Sequence, residues 1–109
     1  MSGALATPRI RVPRSARPGE AVEIRTLIEH PMETGFRQDG GRTVPRDLLN
    51  RMVVRVNGEV ALQAELRNGT AANPFHVFFL RLERSSDLDF TFTDERGRAS
   101  HATARITVS

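Results

Sequence analysis

Apolar and polar residues alternate with a period of two along most of the chain. This period is typical of β-strands that bury one face and expose the other. The stretches that show it, in chain order, are Arg9–Val12, Ala21–Glu29, Arg51–Val56, Val60–Leu66, Phe75–Leu82, Leu88–Thr93 and Ala99–Val108. Seven short strands with turn signals between them, and no long helical period, predict an all-β fold of the immunoglobulin-like antiparallel β-sandwich type.

Glycine-containing pairs mark the turns between these stretches. Asn57-Gly58 joins two alternating runs, and both residues tolerate the left-handed angles of a type I′ turn, so the pair predicts a tight hairpin. Pro18-Gly19 and Asn68-Gly69 predict further turns, and Gly97 ends a polar turn that begins at Asp94.

The run Phe75–Leu82 is the most apolar stretch of the chain. Its two faces are both apolar, with Phe75, Val77 and Phe79 alternating against Phe78, Leu80 and Leu82. A strand at the surface of a two-layer sandwich normally has one wet face, so the second apolar face requires a cover. We expect that cover to be either a long loop of the same chain or another protein. If it is a protein, Phe75, Val77 or Phe79 should lie at the interface, with Leu27 or Val53 in similar outward positions.

The segment His30–Arg46 interrupts the alternation. Pro31 has no backbone N–H to donate and therefore ends the preceding strand. Asp39-Gly40-Gly41 predicts the tip of a hairpin, and Pro45 predicts a helical turn through Leu49, because proline is favoured at a first helical position. The segment is longer than an ordinary connection, which favours a functional role over that of a spacer.

The chain has 109 residues, which is enough for one domain. We expect a flexible N-terminal arm at residues 1–8 and the sandwich domain at 9–109. No stretch approaches the roughly 18 apolar residues of a membrane span, so no membrane association is predicted. The first residues also lack the basic and apolar regions of a signal peptide.

All 16 basic residues are arginines, yet the net charge is only +3 because they are interleaved with acidic residues. This mixture is typical of a solvated surface. The four arginines at positions 9, 11, 14 and 17 form the only basic run, and no aromatic residue lies among them. An arginine-rich nucleic-acid binder stays as a minor alternative, but nucleic acid is not the expected partner.

Motifs for catalysis or cofactor binding are absent from the sequence. There is no cysteine, so thiolate chemistry and disulfides are impossible. The histidines at positions 30, 76 and 101 are far apart in sequence and lack the spacing of metal ligands. No Gly-x-Ser-x-Gly motif or phosphate-binding loop occurs. We therefore expect a binding module without cofactor or metal, and not an enzyme.

Several strings together resemble the SoxZ family, the Z subunits of the Sox sulfur-oxidising system. The resemblance covers about Arg9 to Val108 and is carried by His30-Pro31-Met32-Glu33-Thr34-Gly35 with Arg37, Val44-Pro45-Arg46, Ala72-Asn73-Pro74-Phe75, and Phe90-Thr91-Phe92-Thr93-Asp94 with Gly97. It implies an immunoglobulin-like sandwich that forms a heterodimer with SoxY. In that family SoxY bears the sulfur intermediate of thiosulfate oxidation on a cysteine, and other Sox enzymes act on it.

The resemblance implies a non-catalytic role for this chain, which helps to present the SoxY-bound intermediate. It also implies a periplasmic location, with export together with a signal-bearing SoxY. Residues expected to contact SoxY or a visiting Sox enzyme are His30, Met32, Glu33, Phe36, Arg37, Arg46, Asn73, Phe75, Val77 and Phe79. The alternatives left open are a stand-alone ligand- or carbohydrate-binding sandwich, and a loop that only folds back over its own sheet.

Overall fold

The computed structural model describes residues 5–66 and 72–109, and the described residues form ten strands and no helix. The strands are β1 (Arg9–Arg11), β2 (Ser15–Ala16), β3 (Ala21–Leu27), β4 (Gln38–Asp39), β5 (Arg42–Thr43), β6 (Leu49–Val56), β7 (Glu59–Glu65), β8 (Phe75–Arg81), β9 (Ser86–Asp94) and β10 (Ala99–Val108). The predicted turn at Asn68-Gly69 and the first four residues of the expected arm lie outside the described residues.

Two sheets form an immunoglobulin-like β-sandwich, as the alternation predicts. One sheet has three strands in the order β1-β3-β8, and the other has five in the order β2-β10-β9-β6-β7. All neighbours run antiparallel except β2 and β10, which are parallel. Strand β8 pairs only with β3, so it is an edge strand among the described residues.

The core lies between the inward faces of the two sheets. Strand β9 supplies Leu88, Phe90 and Phe92, and β3 supplies Val22 and Ile24, all buried. Full burial of each such side chain is worth about 1.5–3 kcal/mol, so this alternation is the main reason that the strands pair as they do. Within the expected arm, Leu5 also packs against this core.

The Asn57-Gly58 hairpin is confirmed. Strands β6 and β7 pair with Val56 opposite Glu59, and the two turn residues have φ angles of 51° and 86°. These positive angles are the ones that a type I′ turn requires.

The helical turn predicted after Pro45 is wrong. Asp47 instead forms an isolated antiparallel bridge with Glu33, in which each backbone N–H donates to the other residue's carbonyl at 2.8 Å. Leu48 and Leu49 are both buried, and the register of β6 shifts just after Leu49. Burial of two consecutive leucines together with a closed bridge outweighs the local preference of proline for starting a helix.

Candidate partner interface

The outer face of β8 carries three exposed apolar side chains. Phe75, Val77 and Phe79 retain 56%, 46% and 62% of their accessible surface, while Phe78 and Leu80 on the inner face pack against the core. We call the three exposed side chains the β8 strip. They alternate along one strand and so form a continuous column. Their exposure shows that the long loop does not cover this face.

Neighbouring strands determine what surrounds the β8 strip. On β3 the register places Leu27 opposite Phe75, Arg25 opposite Val77 and Glu23 opposite Phe79. One apolar side chain and two of opposite charge therefore border the strip there. Val53 does not share this face, contrary to expectation, because β6 belongs to the five-stranded sheet. The sequence could not place Val53, since the strand order is set by non-local pairing.

The segment His30–Arg46 projects as a small hairpin of β4 and β5 with Gly40 and Gly41 at its tip. Both glycines have positive φ angles, as predicted for the tip. At its base Phe36 is 81% exposed, more than any other large apolar side chain among the described residues. The hairpin therefore presents one isolated aromatic ring to the solvent.

Two ion pairs flank this exposed ring. The Arg37 guanidinium contacts Glu33, with 2.8 Å between Nη2 and Oε1, and the Arg46 Nε donates to Glu95 at 2.9 Å. Hydrogen bonds from these arginines hold the pKa of the Glu33 and Glu95 carboxyls below their usual value. The pairs are exposed, so their net contribution to stability is small. They connect the two ends of the hairpin to Glu33 and to Glu95 in the turn after β9.

Two residues expected at the surface of the loop, Met32 and His30, are buried and instead anchor it, and the exposed Asn73 bonds to His30. Met32 is 5% exposed and packs in the core, and its Sδ lies 3.4 Å from the backbone nitrogen of Leu49. His30 is 4% exposed, and its backbone N–H donates to the Oδ1 of Asn73 at 2.9 Å. The Asn73 N–H returns a 2.7 Å bond to the His30 carbonyl. His30 and Met32 thus have little surface to offer a partner.

A cluster that sequence reasoning missed surrounds the His30 ring. One ligand atom each of His30, Asp47 and Asp94 lies within 4.8 Å of the others. Arg98 already bonds both carboxylates, with its Nε 2.5 Å from Asp94 Oδ2 and its Nη2 3.1 Å from Asp47 Oδ1. Asp94 and Arg98 are four residues apart, but His30 and Asp47 are distant from them in sequence, and no spacing in the chain signals that the three regions meet.

The protons in this cluster fit an ion-pair network better than a metal site. His30 Nδ1 accepts the Met32 N–H at 3.0 Å, so the neutral ring carries its proton on Nε2, 3.5 Å from Asp47 Oδ1. A metal on Nε2 would have to displace that proton and stand beside the Arg98 charge. Burial lowers the pKa of His30. Burial also opposes ionisation of Asp94, but hydrogen bonds from Arg98 and Arg96 outweigh it and lower the pKa of that carboxyl.

Comparison of the chain with known protein families identifies the family to which it belongs. Residues 10–105 match the family model described as sulphur oxidation protein SoxZ. The chain belongs to the SoxZ family. Membership confirms the resemblance carried by the sequence motifs and gives the chain a role in the Sox sulfur-oxidation system. A search of curated proteins found no match.

Solved structures share the fold at low sequence identity. A superoxide reductase (neelaredoxin) from Ignicoccus hospitalis is similar with a TM-score of 0.76 and 18% identity, covering 96% of this SoxZ-family chain and 82% of the other. The sulfur carrier protein SoxY from Chlorobium limicola f thiosulfatophilum is similar with a TM-score of 0.66 and 11% identity, covering 94% and 75%. A putative superoxide reductase from Thermotoga maritima is similar with a TM-score of 0.73 and 15% identity, covering 95% of this chain and 86% of the other.

The described residues contain no helix that is long and apolar enough to cross a membrane.

Proposed function

We propose that the chain is the non-catalytic subunit of a heterodimer with a SoxY sulfur carrier. In this role it helps to present the carrier-bound intermediate of thiosulfate oxidation to other Sox enzymes. The observation that carries the proposal is the β8 strip, formed by Phe75, Val77 and Phe79 on an edge strand. The proposal includes a periplasmic location alongside SoxY, for which family membership is the support.

An exposed column of two phenylalanines and a valine fits a protein interface. Aromatic side chains bury large areas at little conformational cost and dominate binding energy at interfaces. A long edge strand with an apolar face is otherwise a liability, because it invites association with other chains. A permanent partner that covers the strip removes this liability, and obligate interfaces are more apolar than transient ones.

The decisive experiment is titration of SoxY from the same organism with variants of this chain. We expect Phe79→Asp to raise the dissociation constant at least about 30-fold, because the loss of a central aromatic anchor at an interface costs about 2 kcal/mol or more of binding free energy. The matched control is Val60→Asp, since Val60 is 54% exposed but lies on β7 of the other sheet. The control is expected to bind like wild type. Wild-type affinity for Phe79→Asp would contradict the proposal.

A further inference from the structure

Two arginines face each other across β1 and β3. The register pairs Arg11 with Arg25, and both side chains are exposed. The adjacent pair, Ile10 with Thr26, lies on the inward face, with Ile10 against the core and Thr26 buried. Arg11 and Arg25 therefore share the outer face of the three-stranded sheet with the β8 strip. Like charges directly opposite each other on a sheet are destabilising.

Carboxylates of the chain itself neutralise this pair only in part. Arg25 Nε bonds Glu23 on its own strand, and Arg11 has no ion pair or side-chain hydrogen bond with any described residue. Neighbouring Arg9 lies 3.5 Å from Glu29, but both of those side chains are largely exposed, so the contact is weak. The face thus keeps an excess of positive charge.

A shallow groove of about 330 Å³ joins these arginines to the apolar strip. Its lining includes Arg9, Arg11 and Arg25 together with Leu27 and Phe75. Phe75 is the first residue of the β8 strip, so the basic and apolar surfaces are continuous. Guanidinium groups bind carboxylates through paired hydrogen bonds, and aliphatic or aromatic neighbours exclude water from such contacts.

We propose that this groove receives carboxylate side chains of the SoxY subunit, from the part of its surface that borders the contact with the β8 strip. The inference rests on the proposed function and deepens it by giving the chemistry of the partner surface: an apolar patch flanked by Asp or Glu. Those carboxylates complete the neutralisation that Glu23 and Glu29 leave unfinished. The repulsion between Arg11 and Arg25 in the free chain becomes attraction for the partner.

The test is the variant Arg11→Glu, which separates stability from binding. In the free chain Glu at position 11 faces Arg25, so an attractive pair replaces a repulsive one and the Tm is expected to rise. Association with SoxY is expected to slow about tenfold at low ionic strength, with a smaller change in the dissociation rate. The dependence of the association rate on salt should also weaken. If Arg11 had only a structural role, the Arg11→Glu variant would not both raise the Tm and slow association with SoxY.

Arg51→Glu is the matched control, because Arg51 is exposed on β6 of the opposite sheet. It is expected to leave the association rate within about twofold, since steering acts through charges near the contact. If wild type binds SoxY and Arg11→Glu associates equally fast, this inference is overturned while the proposed function stands. If wild type does not bind SoxY, the proposed function fails and this inference with it.

Sedimentation of each chain alone completes the design. A wild-type monomer agrees with SoxY as the occupant of the groove. Self-association that Arg11→Glu changes in the absence of SoxY would instead make the face a contact between copies of this chain, and would overturn the inference.

Discussion

The fold favours the neutral form of the His30 imidazole. Its Nδ1 accepts a backbone hydrogen bond from Met32, and a protonated ring would place a second donor against that N–H. Asp47 and Asp94 face the ring and favour its charged form, whereas burial and the Arg98 charge oppose it. Burial is the largest of these effects, so the pKa lies below the ordinary value of 6.5. The ring therefore supports the loop base as a neutral group.

The sign of the resulting pH dependence follows from proton linkage. In the unfolded chain His30 titrates near its ordinary pKa, and in the folded chain it takes up a proton only at a lower pH. The unfolded state thus binds more protons between the two values. The contribution of neutral His30 to the free energy of unfolding is fully present above about pH 6.5. It decreases as the pH falls towards the pKa of the folded state, and below that pKa it is lost. His76, whose pKa burial also lowers, contributes in the same window.

The substitution His30→Asn tests whether His30 carries this pH dependence. The Asn Oδ1 can accept the Met32 N–H but cannot be protonated, so the fall in unfolding free energy between pH 7 and pH 5 should become shallower than in wild type. Urea denaturation at several pH values measures it. His101→Asn, at an exposed position on β10, serves as the control and should keep the wild-type slope. An unchanged slope for His30→Asn would show that His30 does not carry this pH dependence.

The β4–β5 hairpin projects from a base that several contacts hold in place. Met32 packs in the core, the Glu33–Asp47 bridge closes the base, and the Arg46–Glu95 pair ties it to the turn after β9. Loops fixed at the base and open at the tip are common binding elements. Since the hairpin is distinct from the β8 strip, we propose that it contacts a visiting Sox enzyme, with Phe36 and Arg37 as contact residues.

Phe36→Ser tests this second contact. Phe36 is largely exposed, so the substitution should leave the Tm and the affinity for SoxY close to wild type. In a reconstituted Sox system we expect thiosulfate turnover to fall about tenfold or more, as when an interface aromatic is truncated. Thr43→Ser, on strand β5 of the same hairpin, is the conservative control. Wild-type turnover with an intact heterodimer would rule out docking through Phe36.

The sandwich as a whole has two unlike outer faces. The three-stranded sheet exposes the β8 strip and the Arg11–Arg25 pair. The outer positions of β7 on the other sheet are mixed, with Gln63 and Glu65 beside Val60 and Ala61 on exposed positions of the strand. An asymmetric molecule of this kind is expected to use the apolar and basic face for its permanent partner.

Hydrogen exchange measures this asymmetry directly. Amides of β8 lie on an edge strand and are expected to exchange faster than those of β9, which is paired on both sides. On binding SoxY, exchange of the β8 amides should slow about tenfold or more, whereas exchange of the β7 amides should not change, because edge amides gain protection only where a partner covers them. Protection of β7 without protection of β8 would place the partner on the other sheet.

The fold could be predicted well because its signals are local. Alternation in Leu88, Phe90 and Phe92 defines an inward face wherever the strand pairs, and Asn57-Gly58 closes its hairpin with only the residues beside it. The failed helical turn after Pro45 has the opposite cause. Its outcome depends on Glu33, a dozen residues away, and on core space for two leucines, which no local preference encodes.

Four properties can be read from the sequence alone: the all-β class, the hairpin tips, the two-faced run at Phe75–Leu82 and, through the motifs, the SoxZ family. Folding determines which side chains remain available to a partner. It buried Met32, left Phe36 open and brought His30 to Asp94, and the register of β1 on β3 set Arg11 against Arg25. Periodicity and turn angles belong to the local chain, whereas burial and charge neutralisation depend on residues that only folding brings together.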